Sequence, residues 1–268
     1  MKGKAKSRTR EREMWLMDSD DETVLYGRSP GGASASMSAS YIQNTMFPSA
    51  ALSAPTMLKP RNDAQARYLK MLEEASAPII VGTGSSGSGK TAFAVHVAVN
   101  KLITGEISKI ILTRPTVSVD EDLGFLPGNI EEKMDPWMRP IYDVMYQYFS
   151  PAKIQQLMGK QIIEICPLAF LRGRTFEHAF IIADEFQNST VSQMLALLTR
   201  LGQGSKLVIT GDPLQFDRGF EINGLQDFLH RVRSRPDVNL STEVQIVEFQ
   251  PEDVQRHQII KKILKIYT

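Results

Sequence analysis

The stretch Gly84-Ser85-Ser86-Gly87-Ser88-Gly89-Lys90-Thr91 decides how the chain folds. Backbone N–H groups can converge on an anion only where no Cβ blocks the approach, and a loop that doubles back needs positive φ. Three glycines in eight residues meet both needs. An apolar, β-branched run at residues 78–83 precedes the loop and reads as a buried strand. Residues 91–102 follow with Phe93, Val95, Val97, Ala98 and Leu102 at helical spacing. Strand, glycine loop and helix in that order form a phosphate-binding loop. Ser85, Ser86 and Ser88 lie within it, Lys90 is placed for the β and γ phosphates of ATP, and the Thr91 hydroxyl for Mg2+. A chance Gly/Ser loop is the competing reading, and flanking strand, flanking helix and a second motif downstream all count against it.

That second motif is Ala179-Phe180-Ile181-Ile182-Ala183-Asp184-Glu185. An apolar strand carries Asp184 to its carboxyl end, where it can orient the metal through water. Glu185, one residue on, suits a general base that polarises the attacking water. An acidic pair after a strand means little alone; paired with a phosphate loop it means catalysis. A third strand ends in Thr210-Gly211-Asp212-Pro213-Leu214-Gln215. Gln215 would touch the γ-phosphate or the water if this strand end shares the crevice, and would be a surface residue of a Gly-Asp-Pro turn if it does not.

The third strand spans residues 206–210, and further strands are expected at residues 109–113, 161–166 and 243–249, with helices at residues 63–74 and 253–266. Continuous apolar strands alternating with helices imply an α/β protein, a mainly parallel central sheet covered on both faces. Residues 1–58 lack periodicity and are rich in Ser, Gly, Met and Pro, so they read as a disordered arm before a domain at residues 59–268. The formal net charge of +1 supplies no global field for nucleic acid, which leaves only local basic clusters for such a partner. Cys166 is the only cysteine, which excludes an internal disulfide framework. No run approaches the roughly 18 apolar residues of a membrane span, and the basic start lacks the apolar core of a signal peptide, so a cytoplasmic location is expected.

Several segments carry a family resemblance: Thr113-Arg114-Pro115, residues 123–128, residues 135–140, Phe170-Leu171-Arg172-Gly173-Arg174-Thr175, residues 184–188, and residues 198–202 followed by Thr210-Gly211-Asp212. Together, in this order, they resemble the PhoH-like family, whose ATPase core is similar to the first motor domain of superfamily one helicases. The resemblance covers roughly residues 59–268 and implies a three-layer, RecA-like P-loop NTPase. Two positions depart from the family pattern: Phe186 where alanine is usual, and Pro213-Leu214 between Asp212 and Gln215. The arm and the compact core together suit a phage-encoded member acting in a host cytoplasm.

The resemblance implies further roles. Gln65 would read the edge of adenine, since an amide offers both donor and acceptor, or would be an exposed helix residue; Tyr68 would stack nearby. Thr113 and Arg114 would touch a nucleic-acid backbone, unless Arg114 is a structural arginine bound to carbonyls. A helicase takes its arginine finger from a second motor domain, and the 53 residues after Gln215 are too few for one. The expectation is a hexameric ring in which Arg172, Arg174, Arg200 or Arg256 reaches a neighbour's ATP, with Arg172, Arg174 and Thr175 also candidates for single-stranded RNA. The activity so implied is ATP-driven RNA remodelling. An ATP-gated scaffold is the alternative, and a small-molecule kinase is disfavoured because Glu185 and Gln215 suit water as the acceptor.

Overall fold

The computed structural model describes residues 45–47, 58–74, 76–115, 130–216, 223–235, 237–255, 259 and 266. Helix α1 (Asp63–Glu74) leads into β1 (Ile79–Gly84), and the glycine loop passes directly into α2 (Lys90–Ile103). Then come β2 (Lys109–Thr113), α3 (Ile130–Met145), α4 (Pro151–Gly159), β3 (Ile163–Ile165) and β4 (Ala179–Ala183). The remainder is α5 (Val191–Leu198), β5 (Lys206–Gly211), α6 (Gly224–Ser234) and β6 (Val244–Phe249). Helix starts are chemically marked: Ser150 caps α4 ahead of Pro151, Thr190 and Gln193 form a capping box on α5, and Asn223 caps α6.

The six strands form one sheet in the order β3-β2-β4-β5-β1-β6, and every pairing is parallel. Alternating side chains sort the apolar strands between two cores. Ile80, Ile110, Phe180, Ile182 and Val208 face a core shared with α1, α2, α3 and α4, while Val81, Ile111, Ile181, Leu207 and Ile209 face a second core under α5 and α6. The result is the three-layer α/β architecture, with the sheet sealed on both faces. Strand β5 lies between β1 and β4, so the phosphate-loop strand and the acidic strand are not neighbours.

Three features differ from the sequence reading. The strand expected at residues 161–166 is only three residues long, because Gln161 turns with φ 55° and Ile162 N–H bonds back to the Leu157 carbonyl in α4. At the start of the helix expected over residues 253–266, Asp253 instead closes a short 3-10 turn at Pro251–Asp253 and is followed by extended Val254; most of the rest of that span lies outside the described residues. Within the segment read as a featureless arm, Met46 and Phe47 are core residues. Phe47 stacks on Phe149 at 5.6 Å, and Lys153 Nζ donates to the Met46 carbonyl.

Candidate active site at the carboxyl edge of the sheet

Parallel strands bring their carboxyl ends, with the loops that follow, to one edge, and there the separate motifs meet. The phosphate loop turns on Gly84 (φ 111°), Gly87 (φ 85°) and Gly89 (φ 93°). At Gly84 glycine is obligatory on two counts, since a Cβ would also stand 2.0 Å from the Phe249 carbonyl oxygen of β6. Gly89 ends the loop as the residue before α2, so the unpaired N–H groups of that helix's first turn open onto the loop. Lys90 is buried, and its Nζ donates to the Gly84 carbonyl at 2.6 Å, the Ser85 carbonyl at 2.9 Å and Ser88 Oγ at 3.2 Å.

Asp184 ties the two motifs together. Its Oδ1 accepts from Thr91 Oγ1 at 2.6 Å and from Thr210 Oγ1 at 2.7 Å, joining the start of α2 to the ends of β4 and β5. Its Oδ2 faces Arg114 Nη1 at 3.5 Å. Glu185 follows with φ 54°, a left-handed conformation that is uncommon for a residue with a side chain and is held here by its surroundings. Gln187 Nε2 donates to Glu185 Oε2 at 2.6 Å, and Gln187 Oε1 accepts from the Asp212 N–H at 3.1 Å. That bridge needs Gly211, where a Cβ would lie 2.6 Å from Gln187 Oε1. Gly87, Lys90, Thr91, Asp184, Glu185 and Thr210 line one cleft of about 200 Å³, which α3 closes with Pro140 and Val144. Convergent N–H groups, an ammonium, hydroxyls from Ser86, Thr91 and Thr210 and carboxylates from Asp184, Glu185 and Asp212 suit an anionic phosphate beside a hard, oxygen-liking cation.

A family model described as PhoH-like protein matches residues 57–268. The chain belongs to the PhoH-like family. It is 42% identical over 212 residues to the PhoH-like protein of Mycobacterium tuberculosis strain H37Rv, covering 79% of this chain and 58% of that one. Over 191 residues it is 44% identical to the PhoH-like protein of Bacillus subtilis, covering 70% and 58%. With Protein PhoH of Escherichia coli K12 it shares 42% identity over 212 residues, 78% and 57% of the two chains. The chain therefore spans under three-fifths of the length of these relatives. As a PhoH-like chain it carries the P-loop NTPase fold, in agreement with its six-stranded parallel sheet.

The other residues singled out in the sequence fall into place unevenly. Gln65 is neither exposed nor turned outward: 3% exposed, it donates from Nε2 to the Ser88 carbonyl at 2.8 Å and accepts at Oε1 from the Arg61 N–H at 2.7 Å. Both ends of its amide are thus engaged between α1 and the phosphate loop. Tyr68 is fully buried, edge-on to Phe249 at 5.5 Å and packed on Gly82, where it has no face to offer a base. Gln215 sits exposed beyond the Asp212 turn and does not line the cleft, which matches the surface-turn alternative. Thr113 is fully buried rather than at a nucleic-acid surface, and Arg114 is the structural arginine, donating from Nη1 to the Trp137 carbonyl at 3.1 Å.

Arg174 turns inward to the Glu164 carboxylate and lies over the Phe176 ring at 4.7 Å; carboxylate hydrogen bonds raise its already high pKa. Arg200 donates to the Ala196 carbonyl at 3.1 Å and the Arg174 carbonyl at 3.0 Å, which spends its guanidinium on closing the end of α5. Only Arg172 and Thr175 of that group are exposed, while Arg256 lies outside the described residues. Burial pushes the Cys166 thiol up to about 11, as expected for an inert thiol. Sequence reasoning missed the work of Thr210, Gln187, Pro140 and Val144. Thr210 carried a usable signal, a hydroxyl ending an otherwise apolar strand, and Gln187 followed Glu185 at a fixed offset; nothing local tied α3 to the cleft.

Proposed function

We propose that this chain binds ATP with Mg2+ and hydrolyses it with water, and that turnover remodels single-stranded RNA within a ring of identical subunits. The observation that carries the hydrolytic half is the meeting of Thr91, Thr210 and Asp184 beside a Glu185 whose carboxylate is held by Gln187. Thr91 and Asp184 would hold the magnesium ion, directly and through water, and their hard oxygens fit it. Bound there, the ion neutralises phosphate charge. The first-turn N–H groups of α2 bind phosphate oxygens, and Lys90 exchanges its loop carbonyls for them because ionised acceptors make the stronger bonds. Glu185 takes the proton of the attacking water on Oε1, since Gln187 occupies Oε2.

Charge on the transferred phosphoryl group calls for an arginine. Arg174 and Arg200 are committed to Glu164 and to backbone carbonyls in every copy of the chain, which favours Arg172 or Arg256 as the finger that reaches a neighbouring subunit's ATP. The RNA half rests on the likeness to helicase motor domains, with exposed Arg172 and Thr175 as the contact. A cytoplasmic location goes with this reading; separately, among the described residues no helix is long and apolar enough to cross a membrane. A second reading, an ATP-gated RNA-binding or assembly scaffold without unwinding, is favoured by the inward turn of Arg114 and Arg174.

The test is ATP binding and turnover, with and without single-stranded RNA, on protein of measured oligomeric state. Lys90→Ala should lose nucleotide binding, and Glu185→Gln should bind ATP normally while losing on the order of 10² or more in turnover. Normal turnover by Glu185→Gln sinks the assignment of the base. Stimulation by RNA without duplex unwinding favours the scaffold, and full activity from a monomer removes the ring.

A further inference from the structure

Helix α3 forms a wall of two clefts. Pro140 and Val144, one turn apart, line the phosphate cleft. Arg139, Tyr142, Asp143 and Tyr146 line a second cleft of about 300 Å³ against α4. A polar link joins this helix to the acidic strand end, and it runs through Arg114. A single nitrogen, Nη1, donates to the Trp137 carbonyl in α3 at 3.1 Å and faces Asp184 Oδ2 at 3.5 Å. The Arg114 side chain is one-quarter exposed and the Asp184 carboxylate 5% exposed, so the pair is shielded and its electrostatics are little screened.

From this geometry we propose that Arg114 is a positioning residue that couples the charge at Asp184 to the placement of α3, so that metal-bound nucleotide is sensed on the far side of that helix. The inference rests on the reading that Asp184 helps hold magnesium. The carboxylate divides its work: Oδ1 serves Thr91 and Thr210, and Oδ2 attracts Arg114. A divalent cation brought to Asp184 repels the guanidinium and competes for the same carboxylate. The attraction to Oδ2 weakens while the hydrogen bond to Trp137 remains, so Arg114 shifts and draws on α3 at Trp137. Nucleotide without metal leaves the Asp184–Arg114 attraction intact and α3 where it stands.

The chain supplies its own reporter. It has two tryptophans, Trp15 and Trp137, and Trp15→Phe leaves the one on α3. In that background, emission is recorded on adding ATPγS with magnesium, and on adding ATPγS with EDTA. Binding is followed in parallel with a fluorescent ATP analogue. The expected result is a Trp137 response that requires magnesium, persists in Arg114→Lys, and is lost in both Arg114→Ala and Arg114→Gln. The glutamine variant keeps a donor for the Trp137 carbonyl without the charge, and all three should bind the analogue in EDTA within a few-fold of the parent. An equal response in every folded variant, or none in the parent although the analogue binds with magnesium, overturns the coupling alone. Failure of the parent to bind the analogue under either condition overturns the nucleotide reading with it.

Discussion

In the proposed hydrolysis, Glu185 depends on a neighbour that itself takes no part in the chemistry. A base must sit within hydrogen-bond reach of the water it activates, and misplacement by about 1 Å can cost on the order of 10² in rate. Gln187 fixes that position from two sides, donating to Glu185 Oε2 and accepting from the Asp212 N–H. Gln187→Ala should therefore lower kcat for ATP by about 10² while nucleotide affinity changes little, since Lys90, Thr91 and the loop glycines are untouched. Turnover and equilibrium binding measured on the same sample separate these; a loss of affinity equal to the loss of kcat contradicts the assignment. At this scale the sequence revealed residue types and hid their directions. Arg114 and Gln65 stood in recognisable motifs, yet each is spent inside the protein, one on Trp137 and Asp184, the other on Ser88 and Arg61. Such choices are made by neighbours brought from distant parts of the chain.

Elements were far more legible. Helix α1 and strand β2 occupy the residues that periodicity marks, and β1, β4, β5 and β6 end within a residue of expectation, because short apolar runs between turn residues have few alternatives. The order of strands was not legible, since all six are apolar and nothing local says that β5 lies between β1 and β4. Phe47 shows the same limit: it is a core residue in a segment with no pattern, visible only beside Phe149. Glycines test the elements directly. Gly84→Ala forces φ 111° on an alanine and drives its Cβ into the Phe249 carbonyl, so denaturant melts should show a loss of at least about 2 kcal/mol along with failure to bind nucleotide. Gly159, at the end of α4, has open space around its Cβ position, and Gly159→Ala should stabilise by about 0.5–1 kcal/mol. An unchanged midpoint for Gly84→Ala would show that β6 can retreat.

For the whole molecule, buried bases set how stability follows pH. His96 is fully buried in α2, its Nδ1 beside the Tyr148 hydroxyl and its Nε2 3.2 Å from Asn100 Nδ2; burial lowers its pKa. Lys206 is likewise pushed down by burial, to about 8. For both, the unfolded chain binds more protons than the folded one, so stability rises with pH. The His96 contribution is present above its unfolded pKa of about 6.5 and is lost as pH falls below that value. Glu106, whose pKa Lys101 depresses, acts in the same direction but at lower pH. The melting temperature should fall between pH 7.5 and 5.5, and His96→Gln should flatten that slope; equal slopes would remove His96 as the cause. The closing of the sheet also has a consequence for synthesis. Ile79 of β1 pairs with Leu207 and Val244, Gly84 rests on Phe249, and the Gly87 carbonyl accepts from the Gln255 N–H. On the ribosome, β1 and its phosphate loop emerge early and wait without either neighbour until most of the domain has been made. The contacts that brace the loop are therefore the last to arrive: Gly84 can meet the Phe249 carbonyl only after β6 has left the exit tunnel.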